Sequence, residues 1–389
     1  MSKKIKIAFL DYSHIFSGAE MSLHSLILHL DPKKFESVLL FRFPQPHQER
    51  YADLPCRKYA LASEKKWWMG SDRWKKPFRG SDMLKRIIFG FKIVRFAKKE
   101  KINILHINLI KPETYWCARI AKWFGIHVVG HSRSDAMSWI PSPKLQKQCD
   151  AIICVSDFVK NKVLIKYLAS NAFTVYDAID FNQFKIHRSR EEILQSFGID
   201  CSKKLLASVG LLSPQKGHDI AIEVFAILAD RLPDYILIIA GGGGEDELAR
   251  LKQLAHKHGI TSRVFFTEKQ IPNISEVYHT AELIFSITTT GEAFGRVPFE
   301  AMACSTPAIA PTKGASVELI TDNETGFLVD PFDLSTAAAK VLKILENSEE
   351  TSKVVEHGKQ YFEVLLSPKH SAENIANIYL KVLNSYYEK

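Results

Sequence analysis

The feature that most constrains this chain is a repeated alternation of short apolar runs, of strand length, with stretches of helical character. In the first half the runs are Lys4–Leu10, Ser37–Phe41, Ile102–Ile107, Ile126–Gly130, Ala151–Ser156 and Ala172–Tyr176. In the second half they are Lys204–Gly210, Asp234–Ala240, Arg263–Phe266, Ala281–Ile287, Pro307–Ala310 and Thr325–Val329. Apolar strands separated by helices predict α/β architecture with Rossmann-like sheets. A chain of 389 residues is too long for one ordinary domain. The expected division is a first domain over 1–183, a second over 184–366 and a closing segment, 367–389, with a helix from about Asn374 to Tyr387 that is expected to return to the first domain. Charged, irregular Phe181 to Glu192 is the expected linker.

The stretch Ser286–Pro307 is the most informative for chemistry. It reads as the end of a buried strand, a loop carrying Glu292, and a helix start at which Pro298 tolerates its missing N–H. Gly295 and Arg296 then lie near a helix entry whose free N–H groups suit a phosphate, and Glu300 falls in the first turn. Two carboxylates beside an anion-binding helix end can accept hydrogen bonds from vicinal hydroxyls while the backbone holds a diphosphate. That combination describes a sugar nucleotide. A first-turn acid is also favourable in any helix, whatever its function.

Two further loops follow strands. A glycine turn after Lys204–Gly210 leads to Lys216-Gly217 and a helix, a phosphate site in which the lysine offsets diphosphate charge. Four glycines, Gly241 to Gly244, end another strand and permit close backbone approach to a ligand.

Composition is that of a globular protein without repeats or low-complexity segments. The apolar run after Met1 is too short for a signal peptide and ends at Asp11, and no run approaches the roughly 18 apolar residues of a spanning helix. The expected location is the cytoplasm, peripheral to the inner face of the membrane. Six scattered cysteines form no C-x-x-C pair and no zinc spacing, so reduced thiols and no metal are expected.

The net charge of +9 is concentrated. Residues 65–101 hold thirteen Lys/Arg against three acids, interleaved with Trp67, Trp68, Trp74 and Phe78 and followed by a basic amphipathic helix over Met83–Lys99. Cations with interfacial aromatics suit an anionic membrane surface. An ordinary packed helix with a solvated basic face is the competing account, and nucleic acid is the weakest of the three.

Glu292-x7-Glu300, with Phe294-Gly295 after the first acid and Glu300-Ala-Met-Ala-x-x-Thr-Pro307 after the second, resembles the donor-site motif of retaining GT-B glycosyltransferases of the GT4-like group. The resemblance runs from about residue 4 to 345. Gly18-Ala-Glu20 matches the glycine loop after the family's first strand, His106-Ile-Asn108 its His-x-His or His-x-Asn, and His131 the histidine close to the transferred sugar. The resemblance implies two Rossmann-like domains facing across a cleft, the acceptor on the first and a nucleotide-diphosphate sugar on the second. It implies catalytic roles for His131 and Glu292, donor binding by Gly18, Lys216, Gly295, Arg296 and Glu300, and acceptor contacts from His14 and His106. A lipid-linked or saccharide acceptor, in polysaccharide, lipopolysaccharide or glycolipid synthesis, goes with it, and nucleic acid does not. The family retains anomeric configuration, and the usual proposal is front-side attack with the leaving phosphate taking the acceptor proton. With no Asp-x-Asp triplet, Lys216 and the helix end are expected to supply the positive field without metal or other cofactor.

The chain departs from the family at three places. Leu211 stands where Gly-Arg-x-x-x-x-Lys-Gly has its arginine, removing one diphosphate cation unless Arg296 substitutes. Asp177-Ala178 replaces an Asn-Gly, and Glu268 replaces a glycine near the nucleobase. An epimerase of the same fold, or a non-catalytic binder of sugar nucleotides, are the alternatives.

Overall fold

The computed structural model describes residues 4–13, 17–42, 44, 48–61, 80–134, 141–167, 171–268 and 271–384. It comprises two compact units, Met1–Ala178 with Pro368–Lys389, and Ile179–Ser367.

The first unit is built on seven strands: β1 (Ile5–Asp11), β2 (Phe35–Phe41), β3 (Arg57–Ala60), β4 (Ile104–Ile107), β5 (His127–Ser132), β6 (Ala151–Cys154) and β7 (Ala172–Thr174). All pair in parallel, in the order β3-β2-β1-β4-β5-β6-β7. Ile7, Ala8, Phe9 and Leu10 are all buried, because helices cover both faces of a parallel sheet and leave no polar side to alternate with. The order reverses at β1, whose neighbours are β2 and β4, and such a switch point opens a crevice beyond the strands' carboxyl ends.

The second unit repeats the plan with β8 (Lys204–Val209), β9 (Tyr235–Ala240), β10 (Val264–Phe266), β11 (Leu283–Phe285), β12 (Ala308–Pro311) and β13 (Phe327–Val329). Its order is β10-β9-β8-β11-β12-β13, again all parallel, and its switch point lies between β8 and β11.

Two details differ from the sequence reading. The segment expected as a linker belongs to the second unit. Ile179 N donates to Leu366 O (2.9 Å), His279 Nε2 donates to Phe184 O (2.7 Å), and Arg188 pairs with Glu276 (3.1 Å) ahead of a helix over Arg190–Ser196. Those bonds move the division five residues earlier, from 183 to 178. The last helix starts sooner than expected, at Pro368, and runs to Asn384. Its Ala372, Ile375, Tyr379 and Val382 lie on one face at helical spacing and join Leu23, Leu26 and Ile27 in the first unit's core.

Candidate active site

In the second unit the loops after β8 and β11 meet at the switch point. Lys216 ends a 3-10 turn (Pro214–Lys216), and its Nζ lies 2.5 Å from Glu292 Oε1. These residues are 76 positions apart, and only the adjacency of β8 and β11 joins them. Gly217 makes the approach possible. It has φ 66°, and a Cβ there would stand 1.7 Å from the carbonyl oxygen of Ile287.

Gly295 (φ 78°) follows, and a helix over Val297–Ala303 begins after Arg296 with Pro298 in its first turn. Arg296 Nε donates to Glu300 Oε1 (2.8 Å), and Tyr278 OH donates to Glu300 Oε2 (2.9 Å). Burial first, and the Glu300 carboxylate second, hold the Tyr278 phenol well above its ordinary range, so it remains a donor. Arg296 is thus paired with Glu300 at the entry of its own helix.

Leu211 is 61% exposed. Its carbonyl accepts from His218 Nε2 (3.2 Å), which leaves His218 Nδ1 to accept from Ser208 Oγ (2.8 Å). Two of the four glycines are needed for packing within the unit. A Cβ on Gly241 would lie 1.8 Å from Gly210 O, and one on Gly243 would lie 2.6 Å from Leu212 Cβ. Leu212 N also donates to Gly242 O (2.9 Å). These glycines let the β9 end pack on the β8 loop. Lys252 pairs with Glu268 at 2.5 Å.

In the first unit Gly18 opens the helix Gly18–His29 rather than a free loop, and Ser17 N and Oγ both donate to Glu20 Oε2 (2.9 and 2.6 Å). His14 lies outside the described residues. His106, on β4, is fully buried, its Nδ1 2.7 Å from Tyr379 OH. His131, at the carboxyl end of β5, is also buried, with its ring 5.4 Å from that of His106. Burial, then the Arg133 charge, lowers the His106 pKa to about 3. Burial first, then Arg133 and His106, pushes His131 well below its ordinary value, so both rings are neutral near pH 7.

Arg133 was not singled out by the sequence. Its Nη2 donates to His131 Nδ1 (3.2 Å), its Nε to both Asn108 O and Asn108 Oδ1 (3.2 Å each), and its Nη1 to Asp177. Asp177 thus has a partner that accounts for a carboxylate at that position. Tyr278 and Tyr379 were missed too, because each reaches its site from an element distant in sequence.

Of the basic segment, residues 65–79 lie outside the described residues. The helix is present over Gly80–Glu100, with Phe89, Ile93, Val94 and Ala97 buried. Leu84, Ile88 and Phe91 form an exposed apolar stripe on it, and the Phe91 ring lies 6.2 Å from that of Phe124, which follows the helix Tyr115–Trp123. Among the described residues no helix is long and apolar enough to cross a membrane.

Two parallel α/β units, each with candidate residues near a topological switch point, have the architecture of the GT-B class. The family Glycosyl transferases group 1 matches residues 189–361 and Glycosyltransferase Family 4 matches residues 16–183, and the chain belongs to this GT4-like, group 1 family. The D-inositol 3-phosphate glycosyltransferase of Mycolicibacterium smegmatis is 29% identical over 54% of this chain and 48% of its own length. The N-acetyl-alpha-D-glucosaminyl L-malate synthase of Bacillus anthracis is 27% identical over 66% of this chain and 69% of its own. The chain thus spans about half to two thirds of these relatives. Among solved structures, Anabaena Alr3699/HepE in complex with UDP and glucose has TM-score 0.78 at 20% identity, covering 97% of this chain and all of that one. A glycosyltransferase from Rickettsia africae has TM-score 0.80 at 18% identity, covering 98% and 99%. At these identities the likeness concerns the fold.

Proposed function

We propose that this glycosyltransferase moves a hexosyl or N-acetylhexosaminyl group from a nucleotide-diphosphate sugar to a saccharide or lipid-linked acceptor, with retention of configuration, in cell-surface polysaccharide, lipopolysaccharide or glycolipid synthesis. The observation that carries the donor site is the meeting of Lys216 and Glu292 at the β8/β11 switch point, with Arg296 and Glu300 at the adjoining helix entry and Tyr278, from the helix Ser275–Thr280, bonded to Glu300. A ligand entering there exchanges the lysine's carboxylate partner for diphosphate oxygens and frees Glu292 for sugar hydroxyls. Glu300 keeps lone pairs beyond the two it gives Arg296 and Tyr278, enough for ribose. Lys216 and the helix end then stabilise the departing diphosphate, without a metal in this reading. The anomeric bond to phosphate breaks as the acceptor oxygen bonds on the same face, and the acceptor proton passes to the leaving phosphate. Structural neighbours that carry UDP or UDP-glucose support a uridine donor as the first candidate. The transferase names of the relatives leave the epimerase alternative without support.

The acceptor side is proposed to work against an anionic membrane surface. The exposed stripe of Leu84, Ile88 and Phe91, edged by Lys92, Arg95 and Lys98, supports this.

The test is a thermal-shift screen of the purified protein against UDP, GDP, ADP and their sugar conjugates. Saturating ligand at a hundredfold excess over Kd stabilises the fold by about 2.7 kcal/mol. A shift with one base, followed by transfer whose product keeps the donor's anomeric configuration by NMR, supports the assignment. A shift without transfer favours a non-catalytic binder, and no shift with any nucleotide removes the donor site. Sedimentation with anionic vesicles, compared between wild type and Phe91→Ser, tests the membrane face.

A further inference from the structure

We propose that Arg133 is a positioning residue that fixes His131 in a single neutral tautomer, with Nδ1 accepting from the guanidinium and the proton held on Nε2. His131 then faces substrate as a fixed N–H donor to an oxygen acceptor, and it is not the base that deprotonates the acceptor. The role of His131 at the substrate rests on the function proposed above; the tautomer does not.

The argument is one of donors and acceptors. A guanidinium has only N–H groups to offer, so the His131 nitrogen 3.2 Å from Arg133 Nη2 must present a lone pair. In a neutral ring the proton is then on Nε2. That atom is buried and has no hydrogen-bond partner among the described residues. An unsatisfied buried donor is costly, and here it sits at the carboxyl end of a central strand next to the switch point, where parallel sheets place ligands.

Arg133 is itself immobilised. Its side chain is 4% exposed and that of Asp177 10%, and Nε is shared between two oxygens of Asn108. Around the His131 ring, β4 contributes neutral His106, the last helix contributes Tyr379 through His106, and the segment after β7 contributes Asp177 through Arg133. Protonating His131 at Nδ1 would set an N–H against the guanidinium and add a second buried cation. Asp177, which stands where the resembled family has asparagine, gives the arginine its counter-charge.

The experiment uses full-length protein labelled with 15N-histidine, whose ring nitrogens report protonation directly by long-range 1H–15N correlation, with His131→Gln identifying the signals among 14 histidines. In wild type, His131 should show an unprotonated Nδ1 and a protonated Nε2, unchanged from about pH 8 to pH 5. Arg133→Met leaves Asp177 buried without a partner and risks the fold, so the decisive variant is Arg133→Met with Asp177→Asn. In it His131 should populate both tautomers or titrate, and kcat should fall by about tenfold to a hundredfold with little change in KM for the donor. Arg133→Lys, which keeps a donor, should recover part of the wild-type nitrogen signature. A wild-type His131 carrying its proton on Nδ1 overturns the assignment. So does a folded double variant with unchanged His131 signals. If no nucleotide sugar is turned over by wild type, the proposed function fails while the nitrogen signals still decide the role of Arg133.

Discussion

The two switch points use opposite electrostatics. In the second unit, cations and carboxylates pair where solvent reaches them: the Lys216 side chain is 36% exposed and that of Glu292 20%. In the first unit the histidines are neutral, and the ion pair behind them, Arg133 with Asp177, is buried. An accessible pair can trade its partner for a charged ligand at small cost, whereas a buried pair cannot open without stranding a charge. On the function proposed above, the second site exchanges partners and the first holds an orientation.

The sharpest way to break this contrast is through stability. Arg133→Met should destabilise the first unit by about 3–5 kcal/mol, because the Asp177 carboxylate stays buried and unpaired. Lys216→Met should cost its own unit less than about 1 kcal/mol. All six tryptophans fall before residue 184, so urea unfolding followed by fluorescence reports the first unit, and far-UV circular dichroism reports both. Equal losses at the two positions would mean the pairs are alike and the contrast is wrong.

The order should invert for turnover. Lys216→Ala removes the cation proposed to face the leaving diphosphate, and the rate should fall by about 100-fold or more with the fold intact. Glu300→Ala should lose donor affinity and also release Tyr278 OH, buried, from its acceptor. A Glu300→Ala enzyme with wild-type KM for the donor would remove that residue from the site.

What the sequence made legible follows the same divide. The alternation of strands and helices was plain because parallel strands are apolar throughout, and the second unit's loop was plain because Glu292, Gly295, Arg296 and Glu300 lie within nine residues of one another. The Lys216–Glu292 contact and the Tyr278 bond to Glu300 could not be read from spacing, since strand order brings them together and strand order is not written locally. Arg133 was hidden for a further reason. One arginine in the polar run after β5 looks like any other surface arginine until Asp177, 44 residues on, is seen to take its charge inside. The packing of Gly241 and Gly243 on the β8 loop was hidden because a residue that permits close approach does not say to what.

A gentler probe of the first site is pH. His106 folds with a pKa near 3 and His131 well below its ordinary value. An unfolded histidine protonates below about 6.5, so in that range the unfolded state binds more protons, and stability is fully present above it and lost as pH falls. Each of the two should contribute a slope of about 1.4 kcal/mol per pH unit below that point. Urea unfolding of the first unit at steps from about pH 7.5 to pH 5.5 measures it before carboxylates begin to titrate. His106→Gln should remove about half of the slope. A flat profile would mean that the histidines charge inside the fold.

The smallest effect tests whether the second site has room for another cation. Leu211 is exposed, and its carbonyl rather than its side chain is held, by His218, so Leu211→Arg keeps the loop and should change stability by less than about 0.5 kcal/mol. With Lys216 already bound to Glu292 and Arg296 to Glu300, no carboxylate among these four residues is left to capture a new guanidinium. It should instead be offered to ligand, tightening binding of a nucleoside diphosphate by about fivefold to tenfold at low salt, less at 0.15 M where screening sets in. The matching free nucleoside, with no phosphate, should bind Leu211→Arg and wild type alike. If the diphosphate also binds them alike, the loop does not face the phosphates. The exchange of partners that distinguishes this site would then fall to Lys216 and Glu292 alone.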